Sequence, residues 1–182
     1  MAEEKQPSEE QVSNEEKSQQ SEQPQQQLNI QKIYCKDVSF ETPNSPQVFT
    51  QNIQPEMKTE LNTQVNVLDE KGIFEVVLSV TVTAEYDNKT AFLAEVNQAG
   101  IFSIMGFEKA NLDGILGSYC PNALFPYARE VVSELVSKGG FPQLVLQPVN
   151  FDAMYAQHLQ SRQEAAASKN AETAEEGSEA IH

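Results

Sequence analysis

One stretch constrains this chain more than any other: residues 73–104, which read IFEVVLSVTVTAEYDNKTAFLAEVNQAGIFSI. Two long runs flank a short polar turn, Tyr86-Asp87-Asn88-Lys89. In the first run Phe74, Val76, Leu78, Val80 and Val82 point one way, and Glu75, Ser79, Thr81, Thr83 and Glu85 fall on the other side. A period of two, rich in β-branched residues, is the pattern of a half-buried strand. The second run sets Phe92, Ala94, Val96, Gln98, Phe102 and Ile104 against Ala91, Leu93, Glu95, Asn97 and Ser103. Asp-Asn tolerates the positive φ that a tight antiparallel connection needs. The stretch predicts the central hairpin of an antiparallel sheet.

The flanks extend that sheet. Residues 28–42 read as a strand in which Ile33 and Cys35, then Val38 and Phe40, imply a change of face partway, the signature of a bulge. Pro43-Asn44-Ser45-Pro46 ends it, and residues 47–55 are irregular, carrying Val48, Phe49 and Ile53. Residues 56–68 alternate again, with Met57, Leu61, Val65 and Val67 on one face. Short connections predict a four-stranded meander. Residues 105–121, with Gly106, Gly114 and Gly117, read as loop and short helical turns. Asn122 to Lys138 is a helix, stopped by Gly139-Gly140, with Pro126 in its first turns. A two-proline linker precedes a last helix near Asp152, a residue suited to the N-cap. The fold class is α+β: a four-stranded antiparallel sheet followed by two helices packed on one face.

Composition sets the boundaries. Residues 1–27 contain one large aliphatic residue, Val12, and no aromatic; residues 161–182 are rich in Ala, Glu and Ser. Neither end can bury enough apolar surface to offset chain entropy, so both are expected to be disordered around a domain at 28–160. Of the net charge of −15, the N-terminal extension carries −5 and the C-terminal tail −3, leaving −7 on the domain. An acidic surface speaks against nucleic acid and anionic membrane as partners and fits a basic protein. No apolar run approaches a membrane span and no charged-then-apolar leader opens the chain, so we expect a soluble, cytoplasmic protein without membrane insertion.

Groups that carry chemistry are scarce. Cys35 and Cys120 form no disulfide framework and no metal motif, no phosphate-binding loop occurs, and no cofactor or metal is expected. A Cys120–His158 pair is the one hydrolytic arrangement available, without flanking sequence to support it; Cys120 before Pro121 also reads as a small packed residue at a helix start. Interaction features are better represented. Leu93 and Glu95 share the face opposite Val96, where they are either a docking pair or a solvated face with a stray leucine. Asp37 and Glu41 share a face of the first strand if it is regular. The Ala94, Val96 and Gln98 face has the character of an assembly surface.

Several long words of the chain resemble the protein-export chaperone SecB family. They are IQKIYCKDVSFETPNSPQVF (Ile30 to Phe49), FEVVLSVTVTA (Phe74 to Ala84), TAFLAEVNQAGIFSIMGFE (Thr90 to Glu108), GSYCPNALFPYAREVVSELVSKGGFPQL (Gly117 to Leu144) and PVNFDAMYAQHL (Pro148 to Leu159). The resemblance implies a homotetramer, a dimer of dimers, with no catalytic activity. It implies an ATP-independent chaperone that binds unfolded preproteins, keeps them translocation-competent and hands them to the SecA ATPase. A SecB-like partner of a toxin–antitoxin system is the alternative. By the same resemblance Asp37, Glu41, Leu93 and Glu95 are expected to bind SecA, and Ala94, Val96 and Gln98 to lie at the dimer–dimer interface. The client groove is expected around Phe40, Ile53, Met57, Leu61, Tyr119 and Tyr155. Two departures stand out: the N-terminal extension is longer than in familiar members, and Ile53 stands where some members carry tryptophan.

Overall fold

The computed structural model describes residues 25–176, with side chains through residue 164. The extension expected over residues 1–27 lies, apart from its last three residues, outside the described residues, as do residues 177–182. Four strands form one antiparallel sheet: β1 (Gln27–Glu41), β2 (Glu56–Asp69), β3 (Ile73–Tyr86) and β4 (Lys89–Met105). Asp87 and Asn88 both take positive φ, 46° and 58°, which makes the β3–β4 connection the type I′ turn whose twist matches the flanking strands.

The strand order is β1-β4-β3-β2, so the expected meander holds only for β2, β3 and β4. β1 instead pairs with β4 and sits at the opposite edge from β2. This is Greek-key order. The connection over residues 42–55 crosses the end of the sheet, anchored by buried Val48 and by a hydrogen bond from Asn44 Nδ2 to the Thr90 carbonyl (2.9 Å). The change of face in β1 is present as two register shifts against β4, at Ile30/Lys32 and at Cys35/Asp37.

Helical structure starts earlier than the glycines suggest. α1 (Lys109–Gly114), a π-type turn over residues 115–119 and α2 (Cys120–Lys138) follow one another without interruption. Residues 105–121 are therefore mostly helical, and Pro126 lies inside α2 while Pro121 takes a first-turn position. α2 ends in a Schellman motif: Phe141 N–H donates to the Val136 carbonyl, Gly140 N–H to that of Ser137, and Gly140 has φ +86°. α3 (Phe151–Glu176) is capped by Asn150, whose Oδ1 accepts from Ala153 N–H at 3.0 Å. Asp152, the expected cap, sits in the first turn, where its carboxylate accepts from Ser118 Oγ and complements the helix dipole. With the helix starting at Phe151, that ring packs edge-on against Phe125, their centroids 5.7 Å apart. The α3 backbone runs to Glu176 through a sequence rich in Ala and Glu, both strong helix formers.

The core lies between the sheet and α2. Val76, Leu78, Val80, Val82, Phe92, Val96 and Phe102 meet Leu124, Ala128, Val132 and Val136, all buried. Each fully buried aliphatic or aromatic side chain contributes about 1.5–3 kcal/mol relative to exposure. Among the described residues the opposite face of the sheet carries no helix.

Candidate functional site

The helix-free face is built by alternation and by one bulge. Ile33 and Cys35 lie opposite Gly100 and Gln98, on the helix side. A regular strand would put Asp37 there too. The shift at Cys35/Asp37 instead puts Asp37 opposite Asn97, Ser39 opposite Glu95 and Glu41 opposite Leu93. Cross-strand partners share a face. Asp37, Glu41, Leu93 and Glu95 are thus brought together on the uncovered side, in three successive rows of the β1–β4 ladder. Asp37 and Glu41 are exposed, and Leu93 and Glu95 are half-buried. The Glu95 carboxylate accepts from Asn97 Nδ2 at 3.3 Å, and Asn97 Oδ1 accepts from Ser79 Oγ at 2.5 Å.

Further along this face Glu75 of β3 gathers donors from both edge strands. Tyr34 Oη, Lys36 Nζ and Asn66 Nδ2 all donate to its carboxylate, the last two at 2.9 Å. These donors, Tyr34 foremost and then Lys36 and Asn66, hold the Glu75 carboxyl at about 2. Lys36 is consequently committed to Glu75, which leaves the nearby acids of β1 unneutralised by it.

Ala94, Val96 and Gln98 lie on the other side of β4, in the chain's own core beneath α2. Val96 is fully buried and Gln98 is 3% exposed. The Gln98 Oε1 is buried without a hydrogen-bond partner among the described residues. An assembly surface made of these three side chains is therefore not open in the single chain, because α2 occupies it.

The expected groove residues disperse. Leu61 and Tyr155 line a cleft of about 450 Å³ between β2 and α3. Its floor is Leu61, Thr63 and Val65, and its far wall is Phe151, Met154, Tyr155, His158, Leu159 and Arg162. Tyr155 also borders a second depression of about 590 Å³ with Tyr119, Phe107 and Ile115. Met57 is exposed on β2, and Ile53 packs partly buried on the core. Phe40 is not in the cleft. It stacks on Phe92 at 5.7 Å in an aromatic cluster that includes Phe141 and the half-exposed Phe49. Sequence reading missed His158, Leu159 and Arg162 as cleft residues; their spacing on one helix face was the signal available.

Cys120 is fully buried, and burial pushes its thiol up to about 12, the opposite of an activated nucleophile. The Cys120–His158 pair has no support in this geometry, since His158 faces the β2–α3 cleft. Among the described residues no cluster of His, Cys, Asp and Glu suits a metal ion, and no helix is long and apolar enough to cross a membrane.

A family model described as preprotein translocase subunit SecB matches residues 20–162. The chain belongs to the SecB family. The protein-export protein SecB of Methylococcus capsulatus is 56% identical over 146 residues, covering 80% of this chain and 94% of that protein. That of Hydrogenovibrio crunogenus is 55% identical over 143 residues, covering 79% and 95%. Among solved structures, a SecB-like chaperone of Mycobacterium tuberculosis in complex with a ChAD peptide from an antitoxin has the same fold. Its TM-score is 0.56 at 20% identity, covering 67% of this chain and 90% of that one. SecB-family membership makes this chain a protein-export chaperone, and the fold expected from the sequence agrees in its four-stranded antiparallel sheet followed by helices.

Proposed function

We propose that this SecB-family chain binds unfolded preproteins in the β2–α3 cleft, keeps them competent for translocation and delivers them to SecA through the helix-free face. The observation that carries this reading is the bulge in β1, which puts Asp37 and Glu41 on the same helix-free sheet face as Leu93 and Glu95 of β4. A row of carboxylates beside a half-buried leucine suits a partner with basic groups and an apolar anchor. The cleft supports the client half: its floor belongs to the edge strand β2, and its walls mix apolar side chains (Leu116, Phe151, Met154, Leu159) with polar ones (Asp113, His158, Arg162). Such a site takes extended segments with little sequence selectivity and needs no ATP. Identity of 55–56% to export chaperones favours this role over partnership with a toxin–antitoxin system.

The chain acts as a homotetramer, a dimer of dimers on the cytoplasmic side of export. In our reading Ala94, Val96 and Gln98 serve assembly indirectly: they set the seat of α2, and the outer side of α2 makes the contact between dimers. Two measurements test the proposal together. The purified protein suppresses aggregation of a refolding client without ATP; failure at stoichiometric excess rejects the chaperone half. Glu95→Lys weakens binding to SecA at least tenfold, the factor that about 1.4 kcal/mol represents, while client protection holds. Unchanged SecA affinity rejects the docking half.

A further inference from the structure

The docking face holds its central acid by a relay that lies outside the four docking residues. Asn97 sits two residues from Glu95 on the same side of β4, with Ser79 of β3 directly opposite it and Asp37 of β1 on its other flank. A carboxylate only accepts hydrogen bonds, so the Asn97 amide must turn its Nδ2 toward Glu95 and its Oδ1 away. Ser79 Oγ lies 2.5 Å from that Oδ1 and donates to it, and Nδ2 lies 3.3 Å from Glu95 Oε1. Each member thus fixes the orientation of the next. The relay also answers an electrostatic difficulty. Asp37, Glu41 and Glu95 occupy successive rows of one face, where like charges repel and would drive the Glu95 side chain toward alternative rotamers. A neutral amide donor at its flank favours the one conformer that lies over the sheet.

We propose that Asn97, oriented by Ser79, is a positioning residue for docking: it pre-sets the Glu95 carboxylate for the basic partner. The inference rests on the reading of the helix-free face as the SecA-docking surface. A partner that meets an ordered carboxylate spends no binding free energy on freezing it. Ordering a long charged side chain at an interface costs enough to weaken binding about two- to tenfold when it must happen on association.

The test uses the full-length protein and purified SecA, with affinity read by titration calorimetry and folding by circular dichroism. Asn97→Ala weakens SecA binding about three- to tenfold, in line with that ordering cost, and leaves client protection unchanged. Asn97→Asp separates positioning from charge, because it keeps the size and adds a carboxylate beside Glu95. Positioning predicts weaker binding than wild type, whereas attraction by net charge alone predicts tighter binding. In a Glu95→Ala background the Asn97→Ala step has no further effect. Equal or tighter binding by Asn97→Asp, or an Asn97→Ala loss of the same size with and without Glu95, overturns the proposal while the docking surface stands. If Glu95→Lys binds SecA like wild type, the docking reading falls and this inference falls with it. Should Asn97→Ala fail to fold, Ser79→Ala carries the test: it leaves the amide in place without its orienting donor, and a loss confined to SecA binding is expected.

Discussion

Glu75 shows how much one residue of the helix-free face can carry. Its carboxylate takes donors from β1 (Tyr34, Lys36) and from β2 (Asn66), so a single central side chain ties both edges of the sheet to β3. Its carboxyl stands at about 2, below the ordinary 4.5, chiefly through the Tyr34 hydroxyl and then Lys36 and Asn66. The unfolded chain therefore takes up this proton first as pH falls. Glu75 contributes stability that is fully present above about pH 4.5 and is lost between there and about pH 2. Glu75→Gln keeps the shape but turns an amide N–H toward the donors, and is expected to cost about 1–3 kcal/mol at pH 7. Urea melts of both proteins from pH 7 to pH 2.5 check the assignment: the gap between them narrows as pH drops below about 4.5. A constant gap would mean that the charge is not what holds the network.

At the scale of elements, the close packing of α3 on the helical run from α1 through α2 depends on Gly117. A Cβ there would press into the Tyr155 ring, so the glycine is what lets α3 lie close and bring Tyr155 to the cleft. Gly117→Ala adds helix propensity but must push the ring away. We expect the fold to persist, with stability changed by no more than about 1–3 kcal/mol, and client affinity to fall several-fold. Melting temperature and peptide binding separate the two effects, and unchanged peptide binding would remove Tyr155 from the client site. The same glycine explains a limit of the sequence. Gly114 and Gly117 read locally as helix breakers, because the packing that needs Gly117 comes from α3, more than 30 residues later. What was legible had a local cause: the Asp87-Asn88 turn, the period-two faces of β3 and β4, the bulge in β1 and the Gly139-Gly140 stop. The strand order was not, because no local rule says which edge a 14-residue connection reaches; only its length and three prolines hinted that β1 and β2 are not neighbours. Ala94, Val96 and Gln98 showed the right periodicity for a buried face. Alternation alone does not say whether a helix of the same chain or a second subunit does the burying.

The whole molecule has two open sheet edges, β1 and β2, and one helix layer, which leaves edges and helix exteriors for assembly. A formal charge of −15 per chain opposes association at long range and favours a basic partner, so the SecA binding we propose is expected to weaken as salt rises. Assembly must then rest on close packing of well-placed elements, and the seat of α2 is the place to perturb it. Gln98 is the polar side chain in that seat, with an Oε1 that finds no partner among the described residues. Gln98→Leu removes the unsatisfied carbonyl at nearly constant shape. It is expected to hold or raise stability, by up to about 1–3 kcal/mol, and, for the tetramer we propose, to leave the solution mass at about 81 kDa, four chains of 20.2 kDa each. Gln98→Arg buries a charge under α2 and must lift the helix or turn it to reach water. In our reading that lowers the mass to two chains while the sheet, followed by circular dichroism, persists. Light scattering on both variants decides between routes to assembly. If Gln98→Leu splits the tetramer as readily as Gln98→Arg, the amide itself bridges the dimers and the indirect route through α2 is wrong.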